Sequence, residues 1–189
     1  MPFRLSITAS LVFLTACVAF TRDKFPSWTD LSDFEREWYS KHLIAARERP
    51  LFPQTDSRTI RLTWLRTFHN PIVVRIDCAE ECAVNAVRLS GAGGYKPGHI
   101  AEKTSYILTP TSAEALQDQV ADARDYQSPE NIEFVVLDGA RWILELSENG
   151  DYKAWTTYGP GLVSNEAFSK LLYTLVEMSK FEIAEGETY

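Results

Sequence analysis

The chain is poor in the residues that carry most metal and redox chemistry. It has three cysteines, three histidines and two methionines in 189 residues. His42, His69 and His99 stand far apart, and no two lie four residues apart on one helix. That pattern offers no metal site, and no cofactor is expected. Basic runs are also missing. Lys and Arg are scattered singly and the formal net charge is -7, which argues against a nucleic-acid partner. The longest apolar stretch, Leu5 to Ala16, falls short of the ~20 residues that a membrane-spanning helix needs. There is no Gly-x-Ser-x-Gly elbow, no Ser-x-x-Lys and no catalytic-cysteine context, so the common nucleophile motifs are absent. No internal repeat or low-complexity tract appears.

What is present is a core. With 45% hydrophobic and 12% aromatic residues, the chain is rich enough to fold rather than stay disordered. At its start, Arg4 precedes a short apolar run that stops at Cys17. One early positive charge followed by such a run is the pattern of an export signal.

The residues Leu14-Thr15-Ala16-Cys17 resemble the lipobox of bacterial lipoproteins. The resemblance implies cleavage before Cys17, a thioether lipid on its sulfur and an acyl chain such as palmitate on the new amino group. Several acyl chains make such an anchor durable, since each buried CH₂ contributes about 0.8 kcal/mol. Val18 follows the cysteine, where this class reserves an aspartate for inner-membrane retention. The implied location is therefore the outer membrane, facing the periplasm. The competing reading is an ordinary secretory peptide with a chance cysteine. Residues 1–16 are read as signal peptide, 17–29 as lipidated tether and 30–189 as one domain.

Export places Cys78 and Cys82 in an oxidising compartment, where an even pair bonds. They flank Ala79-Glu80-Glu81 between two β-rich runs, Ile72 to Ile76 and Ala83 to Leu89. A three-residue hairpin loop sets its flanking residues opposite each other, within disulfide reach. The pair is read as a hairpin staple. A redox pair or metal site is disfavoured by the spacing and by the lack of a nearby histidine.

The remaining pattern predicts an α+β fold: a mostly antiparallel sheet of hairpins and meander with about three helices packed on one face. The spacing predicts a helix over Asp33 to Glu48, with Phe34, Trp38 and Leu43 as its apolar stripe. A strand over Arg58 to Phe68 puts Ile60, Leu62 and Trp64 on one face, with Arg61 and Thr63 on the other. A short strand at Ser105 to Leu108 precedes a helix over Thr111 to Ala123, opened by a capping box at Thr111 and Glu114. Asp138-Gly139 and Asn149-Gly150 are hairpin turns linking strands at Glu133 to Leu137, Arg141 to Leu146 and Tyr152 to Thr157. A final helix over Ser164 to Phe181 turns Phe168, Leu171, Leu172, Leu175 and Met178 inward.

Few residues suggest a site. Gly91-x-Gly93-Gly94-Tyr95 is neither a dinucleotide fingerprint nor a P-loop. It reads first as a wide connection, and second as a ligand-facing loop of Gly93, Gly94 and Tyr95. Glu145 and Asp138 form an imaginable carboxylate pair. Asp138 is explained by its turn, and Glu145 by an ion pair across the sheet. The five tryptophans divide between core and recognition surface in a way the sequence leaves open.

Four stretches, Trp38-Tyr39-Ser40-Lys41-His42-Leu43, Arg61 to His69, Gly93-Gly94-Tyr95 and Asp138 to Glu145, resemble an uncharacterised family of small exported proteobacterial proteins. The resemblance implies one exported domain and supplies no catalytic residue. One departure is Tyr152-Lys153, where the family carries Tyr-His. The expected function is thus a lipid-anchored envelope domain that binds a ligand or an envelope protein, of immunity or inhibitor type. The alternatives are an envelope hydrolase using His69, Asp138 and Glu145, and a structural envelope lipoprotein.

Overall fold

The computed structural model describes residues 23–52, 57–126 and 139–188. The segment expected to be a signal peptide, Cys17, the strand expected at Glu133 to Leu137 and Asp138 lie outside the described residues. No described helix is long and apolar enough to cross a membrane.

The centre is a six-stranded antiparallel sheet with strand order β4-β3-β2-β1-β5-β6. Its strands are β1 (Arg58–Arg66), β2 (Ile72–Cys78), β3 (Cys82–Leu89), β4 (Ile100–Ile107), β5 (Ala140–Glu148) and β6 (Asp151–Thr157). The first four form a meander, whereas the meander expected around Asp138-Gly139 rests partly on residues outside the described ones. Helix α2 (Pro110–Ala123) then carries the chain back, so that β5 pairs along β1 and β6 closes the far edge. Asn149 and Gly150, both at positive φ (52° and 83°), make the two-residue β5–β6 turn. An Asn-Gly pair tolerates that left-handed geometry. Both sides of β5 are occupied, by β1 and by β6, so among the described strands the turn at Gly139 joins no hairpin.

The disulfide Cys78–Cys82 is formed, with Cα atoms 4.1 Å apart. The two residues are direct register partners at the end of the β2–β3 hairpin, as a staple requires.

One face of the sheet carries Ile60, Leu62, Trp64, Val74, Trp142 and Leu144, packed under α2 and α3 (Glu166–Met178). Inward from α3 come Phe168, Leu171, Leu172, Leu175 and Val176; Met178 is half-buried. The cap of α2 also differs from expectation. Thr109, not Thr111, accepts the Ser112 N–H, with Pro110 in the first turn. Proline suits that position because its missing N–H is one that the helix leaves unbonded there.

The opposite face is also covered, which corrects the expectation of helices on one face. Helix α1 (Asp33–Ala45) packs there, capped by Ser32 with Glu35 completing the capping box. Its buried residues Tyr39 and Leu43 meet Leu65, Val73, Val87 and Ile143. Lys24 and Phe25, within the expected tether, belong to this layer too. Phe25 is buried against Tyr39, ring centroids 6.0 Å apart, and the Lys24 amide donates to Ser40 Oγ at 2.8 Å. The packed domain therefore reaches back to Lys24 rather than starting at residue 30.

Sealing both faces buries charge. Arg61 and Glu145, directly opposed across β1 and β5, are fully buried. Arg61 Nε donates to Glu145 Oε2 at 2.6 Å and its Nη2 to Oε1 at 2.7 Å. Its Nη1 donates to the Arg49 carbonyl at 2.7 Å. The Tyr152 hydroxyl donates to Glu145 Oε1 at 2.7 Å. Glu48 lies 3.5 Å from Arg61 and 3.3 Å from Arg75. Burial works to push the Arg61 guanidinium down, but Glu145 and then Glu48 hold it above its ordinary value. Burial first, and the Glu145 charge second, raise the Tyr152 hydroxyl well above its usual range.

Two stability predictions follow from this packing. Glu145→Gln removes the counter-ion of a fully desolvated guanidinium and should cost about 3–5 kcal/mol in urea unfolding. The pair of half-buried Arg88 with exposed Glu102 should lose less than about 1 kcal/mol in Glu102→Gln. Equal losses for the two would show that burial is not what makes the Arg61 pair matter. Replacing Cys78 and Cys82 together by serine should cost about 2 kcal/mol, the loop-closure entropy of so small a ring. An unchanged melting temperature would contradict the staple.

Candidate functional site

The end of the sheet where β1 stops carries the candidate surface. Past Arg66, the Thr67 amide donates to the Gly139 carbonyl at 3.2 Å. The glycine loop is then laid along this extension. The Gly93 amide donates to the carbonyls of Arg66 (2.8 Å) and His69 (3.1 Å), and the Gly94 amide to that of Thr67 (3.1 Å). A Cβ on Gly93 would fall 2.5 Å from the Arg66 backbone nitrogen, so close approach is what requires glycine there. Positive φ is not the reason, since within the loop only Gly98 has it. Gly93 is buried, and its carbonyl accepts the Trp38 indole N–H at 3.0 Å. Gly93 and Gly94 therefore build the platform; of the expected trio Gly93 is buried, Gly94 half-buried and Tyr95 exposed.

Around this platform stand exposed aromatic rings. Tyr95 is 60% exposed and Phe68 56%, with ring centroids 6.1 Å apart. Across Gly93, the half-buried Trp38 lies 5.9 Å from Phe34, which is 72% exposed. Two ring pairs thus flank one backbone platform. Phe34 departs from the expected inward stripe of α1, where Tyr39 and Leu43 supply the burial instead. The tryptophans divide accordingly: Trp64, Trp142 and Trp155 are core, Trp38 edges the platform, and Trp28 is 62% exposed at a separate place, against Tyr152.

The base of the platform is polar. The Arg66 guanidinium stacks 4.6 Å from the Trp64 ring centre. It donates to the Asn70 carbonyl at 2.9 Å and to Glu187 at 2.8 Å. Asn70 Nδ2 in turn donates to the Gly91 carbonyl at 2.9 Å. His69, partly exposed, has its Nε2 3.7 Å from Glu187 Oε1. His99 lies beside Ser90, Nδ1 to Oγ 3.0 Å. His42 is fully buried beneath the platform, and its Nδ1 donates to the Trp38 carbonyl at 3.0 Å.

These positions weigh against the hydrolytic arrangement. Both oxygens of Glu145 are taken by Arg61 and Tyr152 in the closed interior, whereas His69 sits at the surface beside Glu187. The two do not meet, and Asp138 lies outside the described residues. Among the described residues, no group of three His, Cys, Asp or Glu is placed to hold a metal ion. Compared with known proteins, the chain matches no family model and no curated protein.

The signal that sequence reading missed is on α1. Phe34 and Trp38 lie four apart and share a helix face, but that face is not the one Leu43 buries.

His42 links this platform to pH. Burial first, against the opposing Trp38 hydrogen bond, lowers its pKa below the ordinary 6.5. The folded chain therefore holds it neutral where the unfolded chain takes up a proton, and this contribution to stability is lost as pH falls below about 6.5. Thermal melts of His42→Asn should show a flatter decline across that range than the parent chain. Parallel declines would remove His42 as the cause.

Proposed function

We propose that this protein is a lipid-anchored domain of the bacterial envelope that binds a protein partner through the Phe34–Trp38 and Tyr95–Phe68 surface. The observation that carries the reading is the pair of exposed aromatic contacts on either side of Gly93. Large exposed rings on a rigid backbone platform lose little entropy on binding, and aromatic anchors dominate protein interfaces. The lipobox-like Leu14-Thr15-Ala16-Cys17 supports anchoring through Cys17, with the domain facing the periplasm of the outer membrane. An immunity or inhibitor role suits a small anchored domain whose described histidines and Glu145 assemble no catalytic group.

The fold adds a constraint to that reading. With Lys24 already packed in the domain, seven residue steps separate it from Cys17, at most about 25 Å of extended chain. The domain would then work close to the bilayer, and its partner would be met there.

Intact mass of the mature protein should show cleavage before Cys17 and acylation; an unmodified N-terminus would remove the anchor. Crosslinking in envelope preparations should recover a partner. Phe68→Ala with Tyr95→Ala should reduce its capture at least about tenfold, as the loss of two aromatic anchors implies, without changing the melting temperature. Ser105→Ala, on the far edge strand, should leave capture unchanged. Equal capture by the parent and the aromatic double variant would refute the surface.

A further inference from the structure

Strand β4 forms one edge of the sheet. Among the described residues, β4 pairs only with β3, and most of its residues from Ala101 to Ile107 are exposed. An open edge of this kind is a template for another strand. What selects that strand is a cation beside it. Lys180 follows α3 and has a φ of 58°, in the left-handed region where a helix terminus ordinarily places glycine. This backbone holds the Lys180 ammonium 3.5 Å from the centre of the Tyr106 ring, and Tyr106 is fixed by its hydroxyl, which donates to the Met178 carbonyl at 2.8 Å. Among the described residues this ammonium pairs with no carboxylate. A lysine therefore stands at a glycine position, directed over the edge strand, with no carboxylate beside it among the described residues.

We infer that β4 pairs with β4 of a second copy, antiparallel about a two-fold axis at Thr104. In such a pair the two faces of the sheet are preserved, so each residue must oppose one of like parity. An axis at Lys103 would oppose two lysines, and one at Glu102 two glutamates, both repulsive. With the axis at Thr104, threonine opposes threonine, each Lys103 opposes Ser105, and each Glu102 opposes Tyr106. That register sets Glu102 of each copy beside the Lys180 ammonium over the other's Tyr106, and the isologous contact makes the pairing twice. Glu102 is half exposed and, among the described residues, paired with Arg88 at 3.2 Å, so its carboxylate can also face a second cation. The register shift between Arg88 and Leu89, which skips Ala101, ends the ladder on that side. The shared run is thus short, Glu102 to Tyr106. The dimer is weak, dependent on concentration, and loosened by salt.

The register dictates the experiment. Sedimentation of the full chain in a non-ionic detergent, across a concentration series, should show a monomer–dimer equilibrium. Ser105→Glu places a carboxylate opposite each Lys103 and should tighten the dimer by about tenfold, whereas Ser105→Lys should loosen it by about as much. Lys180→Gly relieves the left-handed backbone, so its melting temperature should hold or rise while dimerisation weakens severalfold. A chain that stays monomeric at all concentrations overturns the inference. So does a response in which Ser105→Glu and Ser105→Lys change association alike, or in which Lys180→Gly leaves it untouched.

Discussion

The architecture depends on one buried ion pair. Arg61 and Glu145 face each other across the neighbouring strands β1 and β5, on a face that is otherwise closed by α1 and the segment from Lys24. A guanidinium and a carboxylate placed there must satisfy each other, because neither can reach water and the cost of leaving either alone is several kcal/mol. The consequence is specificity. A one-residue slip of β5 against β1 would break the bidentate contact and turn Glu145 onto the apolar face beneath α2 and α3.

The same pair organises what lies over it. Arg61 reaches the Arg49 carbonyl and Glu48, just beyond α1, while Arg75 on β2 holds Glu48 from the other side. The stretch that follows α1 is thereby tied to β1 and β2. Tyr152 brings β6 into the network through Glu145. Four strands and the N-terminal layer share one polar network, so the placement of α1 over the sheet is an electrostatic matter as well as an apolar one.

Where α1 sits decides what surface the protein offers. Tyr39 and Leu43 face the sheet; Phe34 and Trp38 are consequently carried to its rim, over the Gly93 carbonyl. The glycine loop can lie flat along the extension of β1 only because Gly93 has no side chain to strike Arg66. The exposed rings of Tyr95 and Phe68 are the outcome of that close approach. This exposed aromatic surface is a by-product of how two layers meet at the end of the sheet, with Arg66 and Glu187 bracing the junction from beneath.

Local chemistry alone determined much of the outline. Alternating Ile60, Leu62 and Trp64 against Arg61 and Thr63 established β1 and its two faces, since side chains alternate along any strand. Asn149-Gly150 specified a tight turn, because few other pairs accept two positive φ angles. Cys78 and Cys82 specified a staple from the length of the loop between them. Tertiary structure decided the rest. The partner of Glu145, the burial of Lys24 and Phe25, the second helical layer and the exposure of Phe34 all depend on contacts between residues distant in the chain. An apolar stripe marks a helix face as apolar but not what it meets, and only the assembled sheet, with a helical layer on each face, settles which rings are covered and which are left to water.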